Sequence, residues 1–193
     1  MRILSLSFVL IFFSVISFAA DIEPVFEALK QSAVNYEPDG AICEQVARLG
    51  FLETYPEKDF LVTTGIEYST GDLTLGELDV LVINRATQKV VLVAEVKCWK
   101  NFDQALDKAK SQRLRFTRNL SKYPRQMQFT TYSDLTLKAE QFDEATEYRS
   151  VSQLGGVERG FDAELEFTLS ELKALRMKLL KCQAWGECAR AAQ

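Results

Sequence analysis

The chain has 193 residues, 47% hydrophobic and 26% charged, with a net charge of −4. That suffices for one domain with its own core and excludes disordered and fibrous classes. The sequence contains no histidine, which removes His-ligated zinc, Ser-His-Asp and Cys-His nucleophiles, and His-based nucleases together. Catalysis in such a chain rests on carboxylates, lysine, tyrosine, cysteine or a hard metal ion.

Arg2 precedes an uncharged run from Ile3 to Ala20 that closes on the small residues Ser17 and Ala19 before Asp21. A basic start, an apolar stretch and small residues at its end predict a cleaved signal peptide over residues 1–19. The other reading is an uncleaved anchor, since 18 residues approach the length that spans a bilayer. Cleavage predicts a periplasmic or secreted protein, residues 20–193, without stable membrane association. In an oxidising compartment an even set of four cysteines reads as structural disulfides. Cys182 and Cys188 are close enough to close a short loop, with Cys43 and Cys98 as the complementary pair; spacing alone leaves the connectivity open.

Ile22, Val25, Phe26, Leu29, Ala33 and Val34 recur at helical spacing and predict a helix over 22–35. A Pro-Asp-Gly turn at 38–40 ends it, and a second helix over 41–49 stops at Gly50. Phe60 to Tyr68 reads as a strand and residues 69–72 as a turn holding Gly71. Leu78–Ile83 and Val90–Val96 are apolar on both faces, as central strands covered on each side are. Residues 102–121 form the longest predicted helix, ended at Tyr123-Pro124. Strands are predicted at 128–132, 148–154 and 161–168, and a last helix over 170–182. This order predicts one mixed α/β domain.

Alternation along a strand puts Glu77 with Asp79, and Glu95 with Lys97, on common sides. Charges in such apolar strands are costly unless paired or bound to metal. If the strands form a hairpin, Asp79 and Glu95 meet, and hard oxygen ligands suit Mg²⁺ or Mn²⁺. The Val96 carbonyl is a further candidate ligand. Lys97 is placed to orient water or to stabilise a phosphorane-like transition state. The bland alternative is a salt-bridged hairpin with no ligand.

Gly76-Glu77-Leu78-Asp79-Val80-Leu81-Val82 followed by Val93-Ala94-Glu95-Val96-Lys97 resembles the core of the PD-(D/E)XK, or restriction-endonuclease-like, superfamily. The chain is most similar to small members related to archaeal Holliday-junction resolvases and to a bacterial family of endonuclease-like proteins. The resemblance covers about residues 40–120 and extends toward 168; Leu78 stands where the motif name has proline. It implies a mixed central sheet flanked by helices on both faces. It also implies catalysis at Asp79, Glu95, Lys97 and Gln112, with metal at Asp79, Glu95 and Glu44, to which position adds the Val96 carbonyl. Glu44 lies off the Ile42/Val46/Leu49 stripe and reads equally as a solvated charge, whereas Gln112 lies on the Ala105/Ala109/Phe116 stripe.

Between Lys97 and Arg125 nine basic residues face two acidic ones, a local excess of seven in an acidic chain. Lys100, Lys108, Lys110, Arg113, Arg115 and Arg118 are the candidate nucleic-acid contacts, unless the helix is simply a solvated charged face. The combined expectation is an exported, metal-dependent nuclease that hydrolyses phosphodiester bonds, with DNA the expected substrate. Resolvase-like relatives work as dimers, so a homodimer is among the assemblies to test. The alternative from another class is a non-catalytic exported binding or adaptor protein that keeps the fold.

Overall fold

A computed structural model describes residues 21–131 and 135–191; the predicted signal peptide lies outside them. The first half of the chain comprises α1 (Glu23–Leu29), α2 (Ala41–Thr54), β1 (Phe60–Thr70), β2 (Leu73–Asn84) and β3 (Val90–Val96). The second half comprises α3 (Phe102–Lys122), β4 (Met127–Thr130), β5 (Glu147–Ser152), β6 (Ala163–Glu164) and α4 (Leu169–Trp185). All six strands join one mixed sheet ordered β4-β1-β2-β3-β5-β6. β1, β2 and β3 form an antiparallel meander, with β4 antiparallel on the outer edge of β1. β5 runs parallel to β3 and β6 parallel to β5. A parallel return needs a crossover, and α3 lies in the connection from β3 to β5.

Helices cover both faces. α1, α2 and α4 pack with Val62, Val80, Val82, Leu92, Ala94 and Val96. On the opposite face Phe116 of α3 packs with Tyr68, Leu81, Ile83 and Val93. β2 and β3 are therefore buried on both sides, which is why their sequences are apolar at consecutive positions. The chain is α/β with a mixed sheet. Among the described residues no helix is long and apolar enough to cross a membrane.

Four elements depart from the sequence expectation, the first being β2, which begins at Leu73 rather than Leu78 and pairs with β1 from there. α1 stops at Leu29 rather than continuing to 35. Ser32 takes its last carbonyl twice, through Oγ at 2.6 Å and N at 3.0 Å, and Oγ also meets Tyr36 Oη at 2.7 Å. Such side-chain bonding competes with helix continuation. α2 runs through Gly50 to Thr54, because Phe51 and Leu52 still pack on the core. The strand expected over 161–168 shrinks to two residues. Asp162 Oδ2 accepts from Ser150 N at 2.7 Å and Oγ at 2.8 Å, while Glu164 Oε2 accepts from Gly155 N and Val157 N. These side-chain bonds join backbone bonds that continue on either side, from Asp162 N to Ser150 O at 3.1 Å and from Leu165 N to Ser152 O at 2.8 Å.

Cys43 is disulfide-bonded to Cys98, tying α2 to the residue two beyond β3, and Cys182 to Cys188 across the turn after α4. That turn is set by Gly186 in the left-handed region at φ +78°.

Candidate metal centre

β2 and β3 pair from Ile83↔Val90 to Val80↔Ala94 and then part. Beyond that pair a side chain takes the ladder bond: the Val96 N–H donates to Asp79 Oδ2 at 2.7 Å. β3 keeps its parallel pairing with β5 from Leu92 through Val96, and Lys97 N donates to Val151 O at 2.9 Å. β2 instead stays against β1 as far as Leu73. The result is a fork, with Asp79 on one prong and Glu95 and Lys97 on the other.

Gly65 on β1 lies between the Thr64↔Val80 and Ile66↔Leu78 pairs, opposite Asp79, at φ +65°. Only glycine takes that conformation without cost. The inside–outside alternation slips at this point. Val80 and Val82 belong to the cluster under α2, but Leu78 joins Leu81 and Ile83 on the α3 side. The alternation assumed from sequence thus does not run through Asp79, and Glu77 is exposed while Asp79 is buried.

Asp79, Glu95 and Lys97 are 4%, 3% and 8% exposed. Lys97 Nζ donates to Asp79 Oδ2 and, at 3.4 Å, to Glu95 Oε2. With both carboxyls ionised, the single ammonium leaves the cluster one negative charge in excess; with Glu95 protonated it is neutral. Burial first, and the Asp79 carboxylate second, push the Glu95 carboxyl up to about 8 against the opposing pull of Lys97. Burial pulls the Lys97 ammonium downward, but Asp79 and Glu95 outweigh it and hold the group above its ordinary value. Lys97 stays charged at neutral pH.

Glu44, half-buried on α2, belongs to the same electrostatic field. Burial, then Asp79 and Glu77, raise its carboxyl to about 8, with Lys97 opposing. Even so, among the described residues no three acidic or cysteine side chains converge as a ready ion cage. The donors on offer at the fork are the Asp79 and Glu95 carboxylates and the backbone between Glu95 and Lys97. The N–H and C=O of a strand residue face the same edge, so the Val96 carbonyl opens on the gap that holds Asp79.

Among the described residues three buried side-chain atoms lack a hydrogen-bond partner: Glu95 Oε1, Gln112 Oε1 and Arg115 Nε. Buried polar atoms are nearly always paired. Arg115 faces Glu95 electrostatically and hydrogen-bonds the Tyr68 hydroxyl. Gln112 precedes it by one turn, on the helix face between Ala109 and Phe116, both buried. A Cβ on Gly76 would lie 2.6 Å from Tyr68 Oη and 3.1 Å from Arg115 Nη2. Gly76 is thus a glycine because the chain runs against this Tyr–Arg pair.

Tyr68 had no distinguishing signal in sequence, and neither did Ser152 or Gln153. Ser152 Oγ donates to Lys97 O at 2.7 Å and Gln153 Nε2 to Trp99 O at 2.9 Å. These two side chains at the end of β5 fix the backbone that carries Lys97.

The basic residues divide by location. Lys110 and Arg113 line a cleft of about 120 Å³ between α3 and β5, with Glu95 in its wall. Arg113 lies over the Tyr148 ring at 5.0 Å. Arg149 in the same wall is bound by Glu147 at 2.6 and 3.0 Å. Lys110 and Arg113 are therefore the cleft's available cations. Arg115 and Arg118 line an open depression of about 620 Å³ along α3. Lys100 and Lys108 are exposed and border neither cavity.

No protein-family model, characterised protein or solved structure matches the chain.

Proposed function

We propose that the protein is an exported nuclease of restriction-endonuclease-like fold, hydrolysing phosphodiester bonds with Mg²⁺ or Mn²⁺, and that DNA is its substrate. The observation that carries the reading is Glu95: a buried carboxylate with one oxygen unpartnered, sharing a single lysine with Asp79. Such an arrangement fits a site that takes up a cation as Glu95 gives up its proton, since an ionised Glu95 buried beside Asp79 is costly when left uncompensated. The oxygen-only donor set suits a hard divalent ion. When bound, that ion neutralises phosphate charge and makes a coordinated water more acidic.

The chain's own residues have distinct tasks. Asp79 and Glu95 would hold the ion, with the Val96 carbonyl as a further candidate donor. Lys97, charged and buried, is placed to stabilise negative charge developing on the scissile phosphate. Gln112 on α3 and Glu44 on α2 are the proposed supporting groups, and Lys110, Arg113 and Arg118 the proposed contacts to neighbouring phosphates. The two disulfides support an exported protein.

A second reading, a binding protein that keeps the fold without turnover, is favoured by one feature: Lys97 already bridges both carboxylates. Cleavage assays on single-stranded, double-stranded and branched DNA and on RNA, with Mn²⁺ or EDTA, separate the two. EDTA-sensitive cleavage that disappears in Asp79→Ala and Lys97→Ala is expected. Cleavage that survives both substitutions rejects the nuclease reading.

A further inference from the structure

We propose that the cleft between α3 and β5 is a seat for a single terminal phosphate, so that the protein engages nucleic acid at a phosphorylated end. The inference rests on the nucleic-acid reading above and names the part of the substrate that this cleft takes.

Size sets the first limit. The cleft holds about 120 Å³, and a cavity of about 150 Å³ takes a molecule the size of benzene. A phosphate group with its ester oxygen fits such a space, and a nucleoside does not. An internal phosphodiester carries a nucleoside on each side of its phosphorus. A terminal monoester carries only one, and can enter with its free oxygens leading.

Charge sets the second. Lys110 and Arg113 lie three residues apart on α3, both line the cleft, and neither is ion-paired among the described residues. The Arg113 guanidinium lies over the Tyr148 ring at 5.0 Å, a contact that steadies its plane and leaves the N–H edge for a ligand. Arg149 in the same wall is already taken by Glu147, at 2.6 and 3.0 Å. The two carboxylates of the wall are engaged as well. Glu95 Oε2 accepts from Lys97 at 3.4 Å, and Asp162 Oδ2 accepts from Ser150 N at 2.7 Å and Oγ at 2.8 Å. Two free cations thus face room for one small anion. A phosphate monoester brings close to two negative charges and three acceptor oxygens at neutral pH, whereas each internal phosphate of a strand brings one charge.

Glu95 belongs both to the cleft wall and to the candidate metal centre. A strand held by its end in the cleft therefore presents the linkages nearest that end to the centre.

Fluorescence anisotropy in EDTA tests this with one oligonucleotide sequence, single- and double-stranded, bearing a 5′-phosphate, a 3′-phosphate or hydroxyls at both ends. A hydroxyl-ended strand one nucleotide longer supplies the added phosphate as a diester, which separates monoester recognition from added charge. A preference of about tenfold for a phosphorylated end is expected, the scale of one charge-assisted hydrogen bond, and the end that shows it identifies the source. Inorganic phosphate is expected to abolish the preference before it weakens binding of the hydroxyl-ended strand. Lys110→Ala and Arg113→Ala, with folding checked by circular dichroism, are each expected to reduce the preference. Equal affinity for the phosphorylated and the longer hydroxyl-ended strands overturns the proposal, as does a preference that survives both substitutions. Mn²⁺-dependent cleavage without an end preference rejects this inference alone. An end preference without cleavage rejects the nuclease reading alone, and binding to no strand rejects both.

Discussion

The Val96 amide donates to the Asp79 carboxylate at 2.7 Å, where the ladder between β2 and β3 has just ended at Val80↔Ala94. A side chain thus does locally what a backbone carbonyl does along the rest of the hairpin. The strands can separate without orphaning that donor, and the gap between them is lined by Asp79, Glu95 and Lys97. Structure and candidate chemistry meet in one bond. Asp79→Asn keeps an acceptor for Val96 and removes the charge, whereas Asp79→Ala removes both.

Replacing Lys97 by methionine separates charge balance from ion binding. It leaves Asp79 and Glu95 buried without their shared ammonium, and breaking such a pair costs about 3–5 kcal/mol. The metal-free variant should melt well below the parent, and excess Mn²⁺ should restore much of the difference. Cleavage should be lost while Mn²⁺ affinity is kept or increased, because Lys97 no longer competes for the carboxylates. Loss of Mn²⁺ affinity in Lys97→Met would contradict this assignment.

Stability of the metal-free protein should decline as pH rises. Glu44 and Glu95 have carboxyls raised to about 8 in the fold from an ordinary 4.5. The native state therefore holds more protons than the unfolded chain between those values. The contribution of these two groups is fully present below about pH 4.5 and is lost as pH climbs through about 8. Melting temperatures across this range should fall, and less steeply in Glu44→Gln. Metal needs ionised carboxylates, so Mn²⁺ affinity should rise over the same interval. A flat affinity profile would contradict the raised values.

Much of this fold was legible because burial on two faces writes itself into sequence. The span of β3 and nearly all of α3 follow from runs of Val, Leu and Ile and from a helical apolar stripe. α1, the passage of α2 through Gly50 and the shortening of β6 did not follow. They depend on Ser32, on core contacts of Phe51 and Leu52, and on the Asp162 and Glu164 side chains. The pairing of Asp79 with Glu95 and Lys97 was readable from position. The fork that unites them was not, because it arises at Gly65 on a third strand and at Val151 on a fourth. Tyr68, Ser152 and Gln153 support the site through contacts that only the folded chain creates.

Gly76→Ala should be destabilising although the change is one methyl group. Its Cβ would meet Tyr68 Oη at 2.6 Å and Cζ at 2.8 Å, with Arg115 Nη2 at 3.1 Å. Overpacking of this kind costs about 1–3 kcal/mol. Adding Tyr68→Phe should recover part of the loss in denaturant titrations, since the closest atom is removed. Full additivity of the two changes would show that the Tyr68–Arg115 pair is not what Gly76 accommodates.

Lys110 and Arg113 in the cleft beside Glu95 should make salt-sensitive contacts with nucleic acid. Each phosphate contact removed lowers the slope of log K against log salt by about one. Lys110→Ala and Arg113→Ala should each show that reduction in fluorescence anisotropy, while Lys108→Ala, outside the cleft, should change the slope less. Equal slopes for all three would place the nucleic-acid contact elsewhere.

The most direct test of the central claim is calorimetric titration of Mn²⁺ into oxidised mature protein and its Asp79→Asn and Glu95→Gln variants. Saturable binding is expected in the parent and is expected to be abolished or severely weakened in both variants, with folding retained by circular dichroism. Absence of binding in the parent, or binding unchanged by both substitutions, would contradict a metal centre at the fork of β2 and β3.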